Sequence, residues 1–139
     1  DYQMVCGYRK SFTAPSEWQG KRIILRFDGA AHEATVFCNG TRVGYHACGY
    51  TAFSVDITDS VNFGGENTVD VRLDTRESLN IPPFGFVIDY LCYGGLYREV
   101  TLEVKDPEYI KEVLIREHRP ARAASEDRKR MRKRCYRYR

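Results

Sequence analysis

The 139-residue sequence has no apolar run approaching the about 18 residues that a membrane-crossing helix needs, which excludes a helical membrane protein as the expected class. It also lacks any Cys-x-x-Cys pair. Its five cysteines, Cys6, Cys38, Cys48, Cys92 and Cys135, are odd in number and show no ligand-like spacing to His32, His46 or His118. Free thiols in a reducing cytoplasm follow, and no metal centre is expected. The sharpest competing reading is a metal held by Cys38, His46 and Cys48, but zinc sites show tighter paired spacing, and Cys38 shares a strand face with Ala34 and Val36, where a small buried thiol fits. No segment before residue 120 carries a 3.6-residue apolar period, and there are no internal repeats, so helical bundles and repeat arrays are excluded. The chain opens at Asp1 with neither an initiator methionine nor a signal-like segment, and it reads as a piece of something longer.

What is present suits one soluble domain: 42% hydrophobic and 29% charged residues, in a length that can bury roughly two-thirds of its unfolded surface. Ten tyrosines make it rich in residues that pair an apolar ring with a polar tip. The net charge of +3 hides an asymmetry. Residues 116–139 hold eleven Lys and Arg against three Asp and Glu, whereas residues 1–115 hold eleven against sixteen. The body is acidic and only the tail is basic, which argues against a nucleic-acid-binding fold, since the positive charge is an appendage and not a stripe across the domain.

The body alternates apolar and polar residues over short runs with turn signals between them. Residues 8–13 end at Pro15, and Trp18 stands in the short loop that follows, expected to cap the core edge rather than stack on a ligand. Residues 21–28 place Ile23, Leu25 and Phe27 on one face. Residues 33–38 meet Asn39-Gly40, the dipeptide suited to a type I′ turn, and residues 41–46 return antiparallel. Further strands are expected over 51–57, 68–75, 96–105 and 109–116, with His32 and His46 in loops. Residues 75–95 form a long connection containing Pro and aromatic residues, of the kind that usually carries function. The pattern specifies an all-β, antiparallel sandwich over residues 1–116 and a basic tail over 117–139 with almost no apolar face.

Three demands meet in Asp89-Tyr90-Leu91-Cys92-Tyr93-Gly94-Gly95-Leu96-Tyr97-Arg98-Glu99-Val100. Gly94-Gly95 permits a sharp turn between an aromatic loop and a strand. On that strand Arg98 would share a face with Leu96, Val100 and Leu102, and it would need an acidic partner, for which Asp89 is the nearest candidate. This run, together with Phe27-Asp28-Gly29-Ala30, Ala34-Thr35-Val36-Phe37-Cys38-Asn39-Gly40, Gly49-Tyr50-Thr51-Ala52-Phe53 and Gly65-Glu66-Asn67-Thr68-Val69, resembles the N-terminal sugar-binding domain of family 2 glycoside hydrolases over roughly residues 6–116.

The resemblance implies a jelly-roll sandwich that hosts no catalysis of its own. Retaining glycosidases use two carboxyl groups about 5–5.5 Å apart, and in the family both glutamates lie in a barrel C-terminal to this domain, beyond an immunoglobulin-like domain. The expected role is one wall of the active-site pocket of a bacterial, cytoplasmic β-glycosidase whose substrate is a β-linked glycoside. Asn39 and Asp89 match positions that hydrogen-bond sugar hydroxyls. Asn-Gly is equally a hairpin turn, and Asp89 could instead pair with Arg98. Tyr90, Tyr93, Tyr97 and His46 are candidates for the pocket or for the face against the barrel; Arg98, Gly94 and Gly95 are candidates for structural roles. No cofactor is expected, except a sodium ion partly held by Asp89 in a full-length parent. An isolated copy would expose the barrel-facing patch and self-associate. Beyond about Arg116 the resemblance stops, leaving a changed reading frame or truncation, an appended extension, or a genuine basic tail as competing origins. Two other functions compete: an autonomous carbohydrate-binding module, and a nucleic-acid-interacting protein acting through the basic tail.

Overall fold

The structure, a computed structural model, describes residues 3–76, 78–81, 93–111 and 113–115. Its first compact unit, Asp1–Tyr109, is an antiparallel β-sandwich of jelly-roll type. The strands among the described residues are β1 (Val5–Thr13), β2 (Arg22–Phe27), β3 (Glu33–Cys38), β4 (Thr41–Ala47), β5 (Phe53–Asp56), β6 (Glu66–Asp74) and β7 (Val100–Lys105). One sheet runs β1-β6-β3-β4 and the other β5-β2-β7. Single turns of 3-10 helix, Ser16–Trp18 and Thr58–Ser60, punctuate the connections.

The core is the sum of the inward positions of these strands. Ile23, Leu25 and Phe27 of β2 face Ala34, Val36 and Cys38 of β3 and Val69, Val71 and Leu73 of β6, all buried. Each large side chain removed from water in this way contributes about 1.5–3 kcal/mol before entropy is charged against it. Phe27 stacks on Phe53 of β5 with ring centroids 4.6 Å apart, joining neighbouring strands of one sheet. Cys38 lies in this core, its thiol pushed up by burial, and Trp18 packs against the core's edge. Cys6, Cys38 and Cys48 are free thiols.

The β3–β4 hairpin turns at Asn39 and Gly40, whose φ values of 49° and 81° are the pair of positive angles a type I′ turn requires. Since β3 is six residues long, the hairpin lies about 20 Å from the opposite end of the sandwich. There three connections converge: residues 28–32 between β2 and β3, residues 48–52 between β4 and β5, and residues 93–99 ahead of β7.

Four local expectations are corrected. The last strand begins at Val100, not at residue 96. Gly95 takes φ 93° and exchanges two 3.0 Å backbone bonds with Ala31, so residues 96–99 bend and join the β2 ladder only where Asp28 N–H donates to Glu99 O at 3.0 Å. Arg98 is consequently exposed and does not lie on an apolar strand face. His46 belongs to β4, opposite Ala34, and not to a loop. Of the second unit, Ile110–Arg139, the described residues 110, 111 and 113–115 carry no strand, in contrast to the one expected over 109–116, and Ile110, Val113, Leu114 and Ile115 are exposed.

Candidate functional site

At the end where the three connections meet, the sequence places an unusual density of aromatic and small residues. Tyr97 is fixed by its hydroxyl, which donates to Gly49 O at 2.6 Å. Tyr93, largely exposed, stacks on Tyr97 with centroids 6.0 Å apart and planes 17° from parallel. The Arg98 guanidinium lies over the Tyr97 ring at 5.1 Å and donates from Nη1 to Asp28 O at 3.2 Å and Tyr50 O at 3.3 Å. The arginine therefore fastens two connections together through carbonyls. Its stacking on the ring adds about 0.5–1 kcal/mol at such an exposed site.

Close approach explains two glycines here. A Cβ on Gly29 would stand 2.9 Å from Arg98 Cδ and 3.0 Å from the Tyr97 hydroxyl, and one on Gly49 would stand 2.9 Å from Ala31 Cβ. Both glycines stand in the sequence stretches that resemble the family, and the resemblance by itself gave neither a packing role. The signal lay in Gly29-Ala30-Ala31, a run of the smallest residues directly after a core strand. Gly94 has ordinary contact with Thr75, whereas a Cβ on Gly95 would meet the Tyr8 hydroxyl at 2.7 Å.

His46 borders the same end. Its Nε2 lies 2.8 Å from Thr51 Oγ1, and its ring stacks on Phe53 at 4.3 Å. Beside it the Cys48 thiol is held below its ordinary range by a hydrogen bond from Thr51 and by the Tyr50 backbone. Asp74, where β6 ends, is gripped by Arg76 through Nε to Oδ1 at 2.9 Å and Nη2 to Oδ2 at 2.6 Å, and also accepts the Arg76 N–H at 3.1 Å. That fork holds its carboxyl below the usual range. The sequence reading missed this pair.

Asn39 stands apart, at the hairpin end. Its Nδ2 donates to Ser60 O at 2.7 Å and to Asn67 Oδ1 at 2.8 Å, and its Oδ1 accepts Thr68 N–H at 2.9 Å. Both amide hydrogens and one lone pair are thus engaged in holding the turn. Tyr93, Gly94, Gly95, Tyr97, Arg98 and His46 come to one end of the sandwich, and Asn39 to the other. Asp89 and Tyr90 lie outside the described residues. Among the described residues no group of three or more His, Cys, Asp or Glu is placed to hold a metal ion, and Cys38 and His46 are four register positions apart along the β3–β4 ladder, about 13 Å. No helix of the described residues is long and apolar enough to cross a membrane.

Depressed carboxyls tie stability to pH with a definite sign. Asp70, Asp74 and Asp106 are held low by Arg9, Arg76 and Lys21. The unfolded chain therefore takes up more protons than the folded one as pH falls through the ordinary carboxylate range of about 4, and stability present above that range is lost below it. Urea midpoints should fall between pH 5 and pH 3 by this linkage, values bracketing that range by about one unit on either side, and Asp74→Asn should make the fall shallower.

Residues 2–107 match the family model of the sugar-binding domain of family 2 glycosyl hydrolases. The chain belongs to that family. This sugar-binding domain is 41% identical over 114 residues to a β-galactosidase of Thermoanaerobacter pseudethanolicus, covering 81% of this chain and 15% of that protein. It is 45% identical over 107 residues to a β-glucuronidase of Bacteroides fragilis, covering 76% and 15%. Among solved structures, the Lactobacillus rhamnosus β-glucuronidase superposes with a TM-score of 0.70 at 34% identity, over 77% of this chain and 20% of that one. The Bacteroides uniformis β-glucuronidase gives 0.68 at 41%, over 74% and 12%. The chain thus spans about 15% of the length of the curated relatives it matches.

Proposed function

We propose that this sugar-binding domain forms one wall of the active-site pocket of a bacterial family 2 β-glycosidase acting on a β-galactoside or β-glucuronide, and packs against a catalytic barrel elsewhere in the longer protein. The observation that carries the reading is the Tyr93–Tyr97–Arg98 stack, anchored on Gly49, Asp28 and Tyr50 at the end where three connections meet. An aromatic face accepts the C–H surface of a pyranose. The guanidinium N–H groups that carry no further bond among the described residues would serve a hydroxyl or a uronate carboxylate. Asp89 is assigned the complementary task of accepting hydroxyl hydrogens, and Asn39 stays with the hairpin turn. Chemistry on the glycosidic bond belongs to residues outside this chain.

A wall binds weakly by itself. Titrating the 139-residue chain with methyl β-galactoside and methyl β-glucuronide under NMR should give small shifts at the Tyr97 and Arg98 amides and no saturation up to about 10 mM, the range in which binding is worth under ~3 kcal/mol. Saturable sub-millimolar binding would replace this reading with that of an autonomous carbohydrate-binding module. In a longer enzyme carrying the domain, Asp89→Ala should lower kcat/KM about 100-fold, a loss of ~2.7 kcal/mol.

A further inference from the structure

Two glycines lie inside strands, Gly44 of β4 and Gly7 of β1. Gly44 makes room where β4 meets β5 and closes that side of the sandwich. Gly7 makes room for nothing in the chain. A Cβ placed on it meets no atom within 4 Å, its φ is not in the left-handed region, and the β1–β6 ladder runs past it from Val5 to Thr13 without a bulge. A strand glycine costs backbone entropy and packs no side chain, so one that serves neither turn, bulge nor close packing marks a place that something else approaches. At that place a hollow of 540 Å³ opens on the outer face of the sheet β1-β6-β3-β4. Val36, Val71 and Leu73 point into the core, so alternation turns their neighbours outward: Gly7 opposite Arg72 in one row, Arg9 opposite Asp70 and Asp70 opposite Phe37 in the next. Arg9 grips Asp70 through Nε and Nη2, and those two charges cancel. Arg72 is left over. Its nearest acid, Asp74 Oδ2, stands 3.9 Å away and is already held by Arg76 at 2.6 Å. The hollow therefore carries one uncompensated positive charge beside a half-buried aromatic ring.

We propose that this hollow binds an acidic saccharide, a uronate unit within an oligosaccharide, seated over the bare backbone of Gly7 with its carboxylate on Arg72 and the C–H face of its ring toward Phe37. A planar guanidinium fork receives a carboxylate through two parallel hydrogen bonds, and an aromatic ring offers an apolar face to a pyranose. Asp70, kept ionised by Arg9, has lone pairs left for hydroxyl hydrogens. Other occupants use only part of this arrangement. A simple anion would engage Arg72 and leave the ring and the gap idle, and an apolar ligand would leave Arg72 without a partner. A polypeptide strand finds no ladder groups here, because β6 is paired on both sides. None of these residues belongs to the Tyr93–Tyr97–Arg98 stack, so the site goes beyond the pocket-wall reading and does not rest on it.

The test titrates the full chain with tetragalacturonate, with its methyl ester and with tetraglutamate at about 150 mM salt, following backbone amides by NMR. Tetragalacturonate should move the amides of Gly7, Asp70 and Arg72 and saturate below about 10 mM. Esterification removes the charge and keeps the rings, and it should weaken binding at least about tenfold, Arg72→Gln about tenfold and Phe37→Leu about fivefold. Gly7→Val fills the gap with a residue suited to a strand, so binding should fall at least about tenfold while the urea midpoint stays at or above that of the parent. A lowered midpoint would give Gly7 a role within the fold and overturn the proposal. Tetraglutamate binding as tightly at the same amides would overturn it in favour of an acidic peptide. Binding indifferent to Gly7→Val would assign the effect to the eleven Lys and Arg of residues 116–139. Shifts confined to the Tyr97 and Arg98 amides would leave the pocket wall standing and refute this site, as would absence of saturation.

Discussion

Asn67→Ala is expected to destabilise the domain by about 4 kcal/mol, among the largest effects a single polar residue can have. Asn67 is 1% exposed and uses its whole amide. Oδ1 accepts Asn62 N–H at 2.7 Å and Asn39 Nδ2 at 2.8 Å, and Nδ2 donates to Asn62 O at 3.0 Å and Gly65 O at 3.1 Å. Truncation leaves these partners facing a small void, and each buried group left unpaired costs about 1–3 kcal/mol. Asn67→Asp separates hydrogen bonding from volume. The carboxylate keeps both accepted bonds but turns an oxygen toward two carbonyl oxygens, which favours the protonated form. Its folded pKa is then raised above the unfolded value, so the folded state binds more protons and the variant loses stability as pH rises. That slope is opposite in sign to the slope set by Asp74. Urea unfolding of the three proteins at pH 3 and pH 7, on either side of the ordinary carboxylate range of about 4, reads both effects. An Asn67→Asp variant with the pH slope of the parent would refute the hydrogen-bond account.

The contrast between Asn39 and Asn67 shows what sequence could reveal. Asn39-Gly40 declares its turn locally, because positive φ at two successive residues is tolerated by few residue types, and the hairpin lies where the pattern placed it. Asn67 declares nothing. Its partners come from the turn before β6 and from a hairpin 28 residues earlier, a coincidence that only the folded chain creates. The strands were legible for the same reason the hairpin was. One buried face forces period-two alternation, so Ile23, Leu25 and Phe27, or Val69, Val71 and Leu73, announce their side of the sheet. The alternation of Leu96, Arg98 and Val100 misled because Gly95 bends the backbone and three carbonyl contacts, Gly49 for Tyr97 and Asp28 and Tyr50 for Arg98, pull residues 96–99 off the strand path. An arginine that seeks carbonyls rather than a carboxylate leaves no charge-pair signature in sequence. The family motifs were visible as ordered glycine and aromatic positions, several of which the structure explains by close approach, as at Gly29 and Gly49.

The same argument about space yields the other large effect, at the closed side of the sandwich. A Cβ placed on Gly44 of β4 would stand 2.5 Å from Cγ2 and 2.8 Å from Cγ1 of Val55 on β5, well inside van der Waals contact. Val55 is 6% exposed and β-branched, so its rotamer cannot yield freely. Gly44 sits opposite Val36, next to the irregularity at which the β3–β4 register shifts, and its missing side chain lets the two sheets close there. Gly44→Ala should therefore cost about 3 kcal/mol as overpacking, lowering the thermal midpoint by ~10 °C or more for a domain of this size. Val55→Ala alone should cost about 2 kcal/mol through lost burial. If the clash is the cause, the double variant restores room for the new methyl and is more stable than the sum of the singles by about 1–2 kcal/mol in a double-mutant cycle. Additive losses would instead trace the role of Gly44 to its backbone freedom beside the β-bulge, and the seam would then be held by the strands themselves and not by the fit of Val55 against a bare Cα.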